Sequence, residues 1–83
     1  MSKLFLELVT NEGVAFSGQV DKVTAKGGLG EFTILPSHAD FMSTILSGNL
    51  IVTSKGEPKK YNLTGGFVEV SDNNVTVLAD SIK

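Results

Sequence analysis

Apolar residues in this chain come in short runs that alternate with polar ones and stop at glycine, proline or clusters of Asn, Asp and Ser. Side chains two apart share a face only in an extended strand, so the pattern specifies half-buried β-strands. Leu4, Leu6 and Leu8 form one such row, and Asn11-Glu12-Gly13 then turns the chain. A second run ends at Phe16 and closes at Ser17-Gly18. Val20 to Ala25 reads as a third strand, with Val23 and Ala25 on one face and Lys22 and Thr24 on the other. Gly27-Gly28-Leu29-Gly30 is the loosest stretch; Phe32 and Ile34 follow it, until Pro36 removes a ladder donor. Leu50-Ile51-Val52 lies between Gly48 and Ser54-Lys55-Gly56-Glu57-Pro58, and Tyr61 and Leu63 alternate after it. Phe67 to Val70 follows Gly65-Gly66, and Val75, Val77 and Ala79 alternate after Ser71-Asp72-Asn73-Asn74, a hairpin turn by composition. Turn signals every 8–12 residues or so are the mark of a β-sandwich or barrel.

One segment conflicts with that period. Phe41, Met42, Ile45 and Leu46 fall at helical spacing, with Ser37 as a possible N-cap, so periodicity alone predicts a short helix from Ser37 to Leu46. A helix that short is marginal without tertiary support. The residues leave this segment open.

With 83 residues the chain is one domain, and 41% apolar with 19% charged residues is a globular composition. No cysteine is present, which removes disulfides, thiolate metal sites and cysteine nucleophiles. The net charge of −2 gives no electrostatic footprint for nucleic acid or anionic lipid. No apolar run approaches the roughly 18 residues of a membrane-spanning helix. Glu7 interrupts the first apolar run, so Met1 to Val9 does not read as a secretory signal. A small soluble domain from a compartment that need not be oxidising is what this leaves.

Candidate chemistry is sparse. The single histidine, His38, has Glu31 and Asp40 near it in sequence, short of the three or four ligands a zinc site wants. A hydrogen-bonded loop histidine explains it equally well. No serine sits in a Gly-x-Ser-x-Gly elbow, and nothing selects a carboxylate pair from the nine acidic residues. Lys26-Gly27-Gly28-Leu29-Gly30-Glu31 has its lysine before the glycines and a strand behind, the reverse of a phosphate loop. Thr33 stands where a dinucleotide motif needs its third glycine. Asn62-Leu63-Thr64 and Asn74-Val75-Thr76 match the glycosylation sequon, but without a secretory signal they are ordinary hairpin composition. Five Phe and one Tyr, mostly at alternating core-type positions, make a poor stacking platform for single-stranded nucleic acid. A partner-binding module survives elimination, since Phe41-Met42, Ile45-Leu46, Leu29 and Phe32 supply more apolar surface than one small core uses. The opposing reading, that all of them are core, stands beside it.

Three blocks in order resemble a known family. Gly30-Glu31-Phe32-Thr33-Ile34-Leu35-Pro36-Ser37-His38-Ala39 resembles the Gly-Glu-x-Gly-Ile-x-Pro-Gly-His-Ala loop of the epsilon subunit of F-type ATP synthases, called delta in mitochondria. Gly65-Gly66-Phe67-Val68-Glu69-Val70 and Asn74-Val75-Thr76-Val77-Leu78-Ala79-Asp80 resemble two later blocks of its first domain. The resemblance runs from about Leu4 to Asp80, with Phe16-Ser17-Gly18 and Ser47-Gly48 at the family's spacing. Thr33 and Ser37 replace glycines, and Asp40 replaces the usual proline. Family members commonly add a C-terminal two-helix hairpin, whereas this sequence stops at Lys83.

The resemblance implies an all-β fold, a flattened β-sandwich of two five-stranded sheets with about ten short strands, forming one domain over residues 1–83. It turns the open segment into a short strand from Ala39 to Ile45. It also implies a non-catalytic rotor subunit of the central stalk, without cofactor, metal or nucleic acid, monomeric when isolated. The partners it implies are the gamma subunit and the c-ring of a proton- or sodium-translocating synthase, held peripherally at the cytoplasmic face of a bacterial inner membrane or the equivalent organelle membrane. Leu29, Gly30, Glu31 and Phe32 would face the c-ring; Thr10, His38, Ala39, Phe41 and Met42 would face gamma. Two alternatives from other classes remain: a β-fold hydrolase using Glu31 and His38 as acid and base, and a small ligand-binding β-sandwich.

Overall fold

The structure, a computed structural model, describes residues 3–28, 30–37 and 39–83. The strands are β1 Leu4–Thr10, β2 Gly13–Val20, β3 Lys22–Gly27, β4 Gly30–Ile34, β5 Phe41–Ile45, β6 Gly48–Ser54, β7 Glu57–Leu63, β8 Gly66–Ser71 and β9 Asn74–Ala79. Among the described residues there is no helix. Hydrogen bonding follows the order β2-β1-β9-β8-β5-β3-β6-β7, with β4 on the free side of β3. The β1–β9 pair is parallel and every other pair antiparallel.

The order divides at a single corner. Strands β2, β1, β9, β8 and β5 form one half of the sandwich, and β4, β3, β6 and β7 the other. They join where Gly27 at the end of β3 pairs with Ile45 at the end of β5, reinforced by the Leu46 N–H donating to the Lys26 carbonyl at 2.8 Å. The start of β3 pairs instead with β6, so one strand hands the sheet from one layer to the other. A short stretch around Ile82 adds to the edge of β7 through a Leu63–Ile82 bridge, and nine strands plus this bridge stand where about ten are expected.

Alternation places the core. Leu4, Leu6 and Leu8 of β1, Val75 and Val77 of β9, and Val68 and Val70 of β8 are buried from one layer. Val23 and Ala25 of β3, Leu50 and Val52 of β6, and Leu63 of β7 meet them from the other in one cluster. No polar or charged residue is buried among the described residues. Burial of a Val or Leu side chain contributes about 1.5–3 kcal/mol, so these inward rows dominate the fold's stability.

The helix expected from Ser37 to Leu46 is absent; Phe41–Ile45 is strand β5, paired residue for residue with β8. Its inward positions are Phe41, Ser43 and Ile45, and polar Ser43 breaks the apolar alternation that would have announced a strand. A small residue is required there. The Ser43 Oγ lies 3.1 Å from where a Cβ on Gly27 would project, and the Phe32 ring 3.0 Å from the same point. The second run, expected to close at Ser17-Gly18, continues to Val20, because pairing with Leu4 to Leu6 carries β2 through the glycine. Val20 accordingly ends β2 rather than opening the third strand.

The turns behave as their composition demands. Lys55-Gly56 and Asp72-Asn73 are two-residue hairpin loops with φ of 54° and 79°, and of 52° and 64°. Positive φ at both central residues gives the twist that antiparallel strands require. Pro58, expected as a strand boundary, lies inside β7, which is tolerated because β7 is an edge. Thr33, one of the two glycine replacements, takes a regular strand position opposite Thr24, their hydroxyls 3.1 Å apart. Ser37, the other, adopts the left-handed region at φ 67°. Its N–H donates to Asn73 Oδ1 at 2.6 Å and Asp40 Oδ1 accepts from the Asp72 N–H at 3.3 Å, tying the β4–β5 connection to the β8–β9 turn.

Two glycines separate crowding from open space. A Cβ on Gly66, the first residue of β8, would collide with the Leu78 carbonyl oxygen across the ladder, whereas one on Gly28 would meet nothing within 4 Å. Gly66→Ala is expected to cost about 1–3 kcal/mol in urea unfolding, and Gly28→Ala to stay within about 0.5 kcal/mol of the parent.

Candidate functional site

The residues expected to face partners fall into three places. Gly30, Glu31 and Phe32 open β4 at the β3–β4 hairpin, where Gly30 pairs with Gly27 and adopts φ 120°, a conformation glycine takes without steric penalty. Glu31 is exposed, with Lys26 as its cross-strand partner. Phe32, one residue further, turns inward and packs against the core. Leu29 lies outside the described residues.

The second place is β5, reached through exposed Ala39 and Asp40. Here the strand separates two neighbours that sequence alone could not. Phe41 points inward, half-buried against the core, while Met42 points outward and is 62% exposed. The pair is therefore divided, Phe41 to the core and Met42 to the surface. His38 lies outside the described residues.

Phe41 and Phe32 meet. Their ring centroids are 5.2 Å apart at an interplanar angle of 64°, an edge-to-face contact. The hairpin expected to face one partner and the strand expected to face another are thus packed together beside the Gly27–Ile45 corner. An open cleft of about 350 Å³ lies over this contact, lined by Gly27, Gly28, Glu31 and Thr44 besides the two rings. The cleft offers the Glu31 carboxylate, the Ser43 and Thr44 hydroxyls and backbone polar groups, and no convergent acid–base pair among the described residues.

Thr10 is the third place, and it is not brought beside the others. It ends β1 three strands away from β5, at the level of Ala79 rather than of Phe41's partner Val70. Its hydroxyl is occupied by the turn, accepting from the Glu12 N–H at 3.1 Å and donating to the Gly13 carbonyl at 3.4 Å. The side chain thus has a structural task in the β1–β2 turn whatever it touches outside.

Among the described residues no group of three or more His, Cys, Asp or Glu side chains could hold a metal ion. Among the described residues no helix is long and apolar enough to cross a membrane. The sequence reading missed a feature of the outer face of the five-stranded half, where Val9, Val14, Phe67 and Leu78 are neighbours through strand pairing. Strand order is not written in local pattern, so the only available signal was the apolar residue at the second position of each alternation.

Comparison with known proteins agrees with this architecture. Residues 3–83 match the family described as ATP synthase, Delta/Epsilon chain, beta-sandwich domain. The chain is 49% identical over 78 residues to an ATP synthase epsilon chain of Nitratidesulfovibrio vulgaris, covering 94% of this chain and 58% of that protein. It is 40% identical over 80 residues to an ATP synthase epsilon chain of Caulobacter vibrioides, covering 96% of this chain and 93% of that shorter protein. The chain thus spans little more than half the length of several relatives and nearly all of another. Its fold superposes on a chain of the Euglena gracilis mitochondrial ATP synthase (OSCP/F1/c-ring) with a TM-score of 0.93 at 22% identity, covering all of this chain and 54% of that one. On a chain of the Tetrahymena thermophila mitochondrial ATP synthase central stalk and c-ring the TM-score is 0.84 at 20% identity, over 98% and 66% of the two chains. The β-sandwich, the ordered motif blocks and these likenesses lead to one assignment: the chain belongs to the delta/epsilon family of ATP synthase β-sandwich domains.

Proposed function

We propose that this domain is a non-catalytic part of the central stalk of an F-type ATP synthase, a spacer that turns with the rotor between the gamma subunit and the c-ring. What supports the reading is family membership over residues 3–83, together with a fold whose two layers share one apolar core. Torque crossing a spacer is lost wherever the spacer shears. An interior packed at crystal-like density deforms little, and the core and corner here leave no second body to slide. The domain itself measures 32 × 24 × 19 Å.

In this reading the c-ring side is the β3–β4 hairpin. Glu31 presents its carboxylate to an arginine or amide of a ring loop, and Gly30 lets the backbone come close. A single exposed ion pair contributes little to affinity, so its use is to hold register. The gamma side uses Met42 and Ala39, with half-buried Phe41 next to Met42 on the same strand; the resemblance adds Thr10 and His38. An interface of standard size takes roughly 800 Å² from each partner, against a total accessible surface of 4966 Å², so two such contacts fit on a domain this small. Catalysis belongs to other subunits, and the domain is held peripherally at the cytoplasmic face of a bacterial membrane or its organelle equivalent. The hydrolase reading is not favoured: Glu31 is exposed opposite Lys26 at a hairpin, and the family match accounts for the whole motif series that contains it.

Two substitutions on one strand separate packing from contact. Phe41→Ala is expected to lower stability by about 2 kcal/mol, below the full cost of a completely buried phenylalanine. Met42→Ala should leave stability within about 0.5 kcal/mol yet weaken calorimetric binding to gamma severalfold; unchanged affinity would remove Met42 from the interface. For the ring side, Glu31→Lys in the assembled enzyme should reduce ATP-driven proton pumping relative to ATP hydrolysis. Wild-type coupling in that variant would leave Glu31 a solvated hairpin acid.

A further inference from the structure

A sheet edge leaves a row of backbone N–H and C=O groups unpaired, and folds blunt it with short strands, charge, proline or a covering segment. Three of the open-sided strands here are blunted in these ways. β7 carries Glu57, Pro58, Lys59 and Lys60 and has Ile82 against its end. β4 and β5 are five residues long and pack ring to ring through Phe32 and Phe41. β2 differs. It runs eight residues, Gly13–Val20, with no charge and no proline, and among the described residues it pairs only with β1. The register shift at Leu8/Val9 disturbs its first residues, so Phe16 to Val20 is the regular, open part.

The inward side of that stretch is an apolar shelf. Phe16 is half-buried against the core, and its ring lies 3.7 Å from where a Cβ on Gly18 would project, so the phenyl covers the glycine along the strand. An open cleft of about 500 Å³ separates Phe16 from the β6–β7 hairpin, lined by buried Val52 and by exposed Lys55, Glu57, Pro58 and Lys59. The Lys59 Nζ is placed over the Tyr61 ring, 5.2 Å from its centroid. Among the described residues neither Lys55 nor Lys59 takes part in an ion pair. Two lysines against one glutamate leave the cleft one positive charge in excess, on a chain whose net charge is −2.

We propose that the β2 edge takes up an extended, acidic segment of a partner chain as an added strand. Backbone groups of the segment pair with Phe16 to Val20. One of its apolar side chains sits against Phe16 and Val52, and carboxylates two positions to either side, on the same face of the strand, reach toward Lys55 and Lys59. In this mode main-chain hydrogen bonds supply affinity and the side chains of one face supply specificity. A second copy pairing β2 to β2 is a poor occupant, since β2 brings no carboxylate to the two lysines. β2 lies at the far end of its layer from β5. The inference therefore goes beyond the stalk reading and adds a contact separate from those at Glu31 and Met42.

The test uses the 83-residue chain and three synthetic seven-residue peptides. The first is Thr-Glu-Thr-Val-Thr-Glu-Thr, the second has lysine for both glutamates, and the third is the first with its three central backbone nitrogens methylated. In an amide NMR titration at low salt, the acidic peptide should shift the Phe16 to Gln19 amides and slow hydrogen exchange within that stretch. It should bind about fivefold more tightly than the lysine peptide, as exposed ion pairs allow, and the methylated peptide should have no effect. The preference for glutamate should shrink with added salt and be lost in the Lys55→Gln/Lys59→Gln double variant, whose two positions are exposed. Binding of the methylated peptide, equal binding of the acidic and lysine peptides, or shifts centred away from β2 would overturn the proposal. So would no binding at millimolar peptide, or dimerisation of the chain through β2 in place of peptide uptake. Each of those results defeats this inference alone, because the stalk reading is tested at Met42 and Glu31.

Discussion

Everything in this molecule depends on two apolar layers closing on each other through one strand corner. Leu4, Leu6 and Leu8 face inward only because β1 lies between β2 and β9, and Val23 and Val52 face them only because β3 leaves β6 to meet β5 at Gly27. Each layer alone would expose its hydrophobic face to water, which is unfavourable in proportion to the apolar area left uncovered. Closing the corner buries both faces at once. The absence of buried polar side chains among the described residues means that little besides burial and the backbone ladder holds the layers in place.

The corner also arranges the surface. Gly27 admits the Phe32 ring, Ser43 leaves room beneath it, and Phe41 completes an edge-to-face contact, so β4 and β5 are packed against each other. The Asn73 and Asp40 side-chain bonds do the same for the β4–β5 connection at the opposite end of the strand. Residues that touch different neighbours in the proposed stalk are therefore joined by packing rather than by a flexible linker. That is a geometric condition for passing torque, and it follows from small residues at two positions.

Most strands were legible because alternation is local: the rows Leu4-Leu6-Leu8, Val23-Ala25 and Val75-Val77-Ala79 are all buried as their period predicts. The Asp72-Asn73 turn was legible for the same reason, its residue types tolerating positive φ. Strand β5 was not, since Ser43 occupies an inward position for a reason that lies at Gly27 on β3, outside any local window. The extension of β2 through Gly18 was hidden likewise, because its partner β1 and not its own composition sustains it. Of the candidate site, Glu31 is exposed on the glycine hairpin that the sequence marks, and the split between Phe41 and Met42 requires knowing which period the segment obeys. Thr10 could not be placed relative to β5 without the strand order, which only tertiary pairing sets.

The proposed stalk role asks this domain to be held rather than to react. Its central physical claim is that the two layers are one mechanical body. Native-state hydrogen exchange on the 83-residue chain measures that directly, comparing strand amides of Leu8 and Val77 in one layer with Val23 and Val52 in the other. The account predicts that all four open only with global unfolding, at one common free energy and with the same denaturant dependence. If the β3–β6–β7 layer exchanges through a separate opening well below the global one, the sandwich is two bodies hinged at Gly27, and a rigid spacer is the wrong description of it.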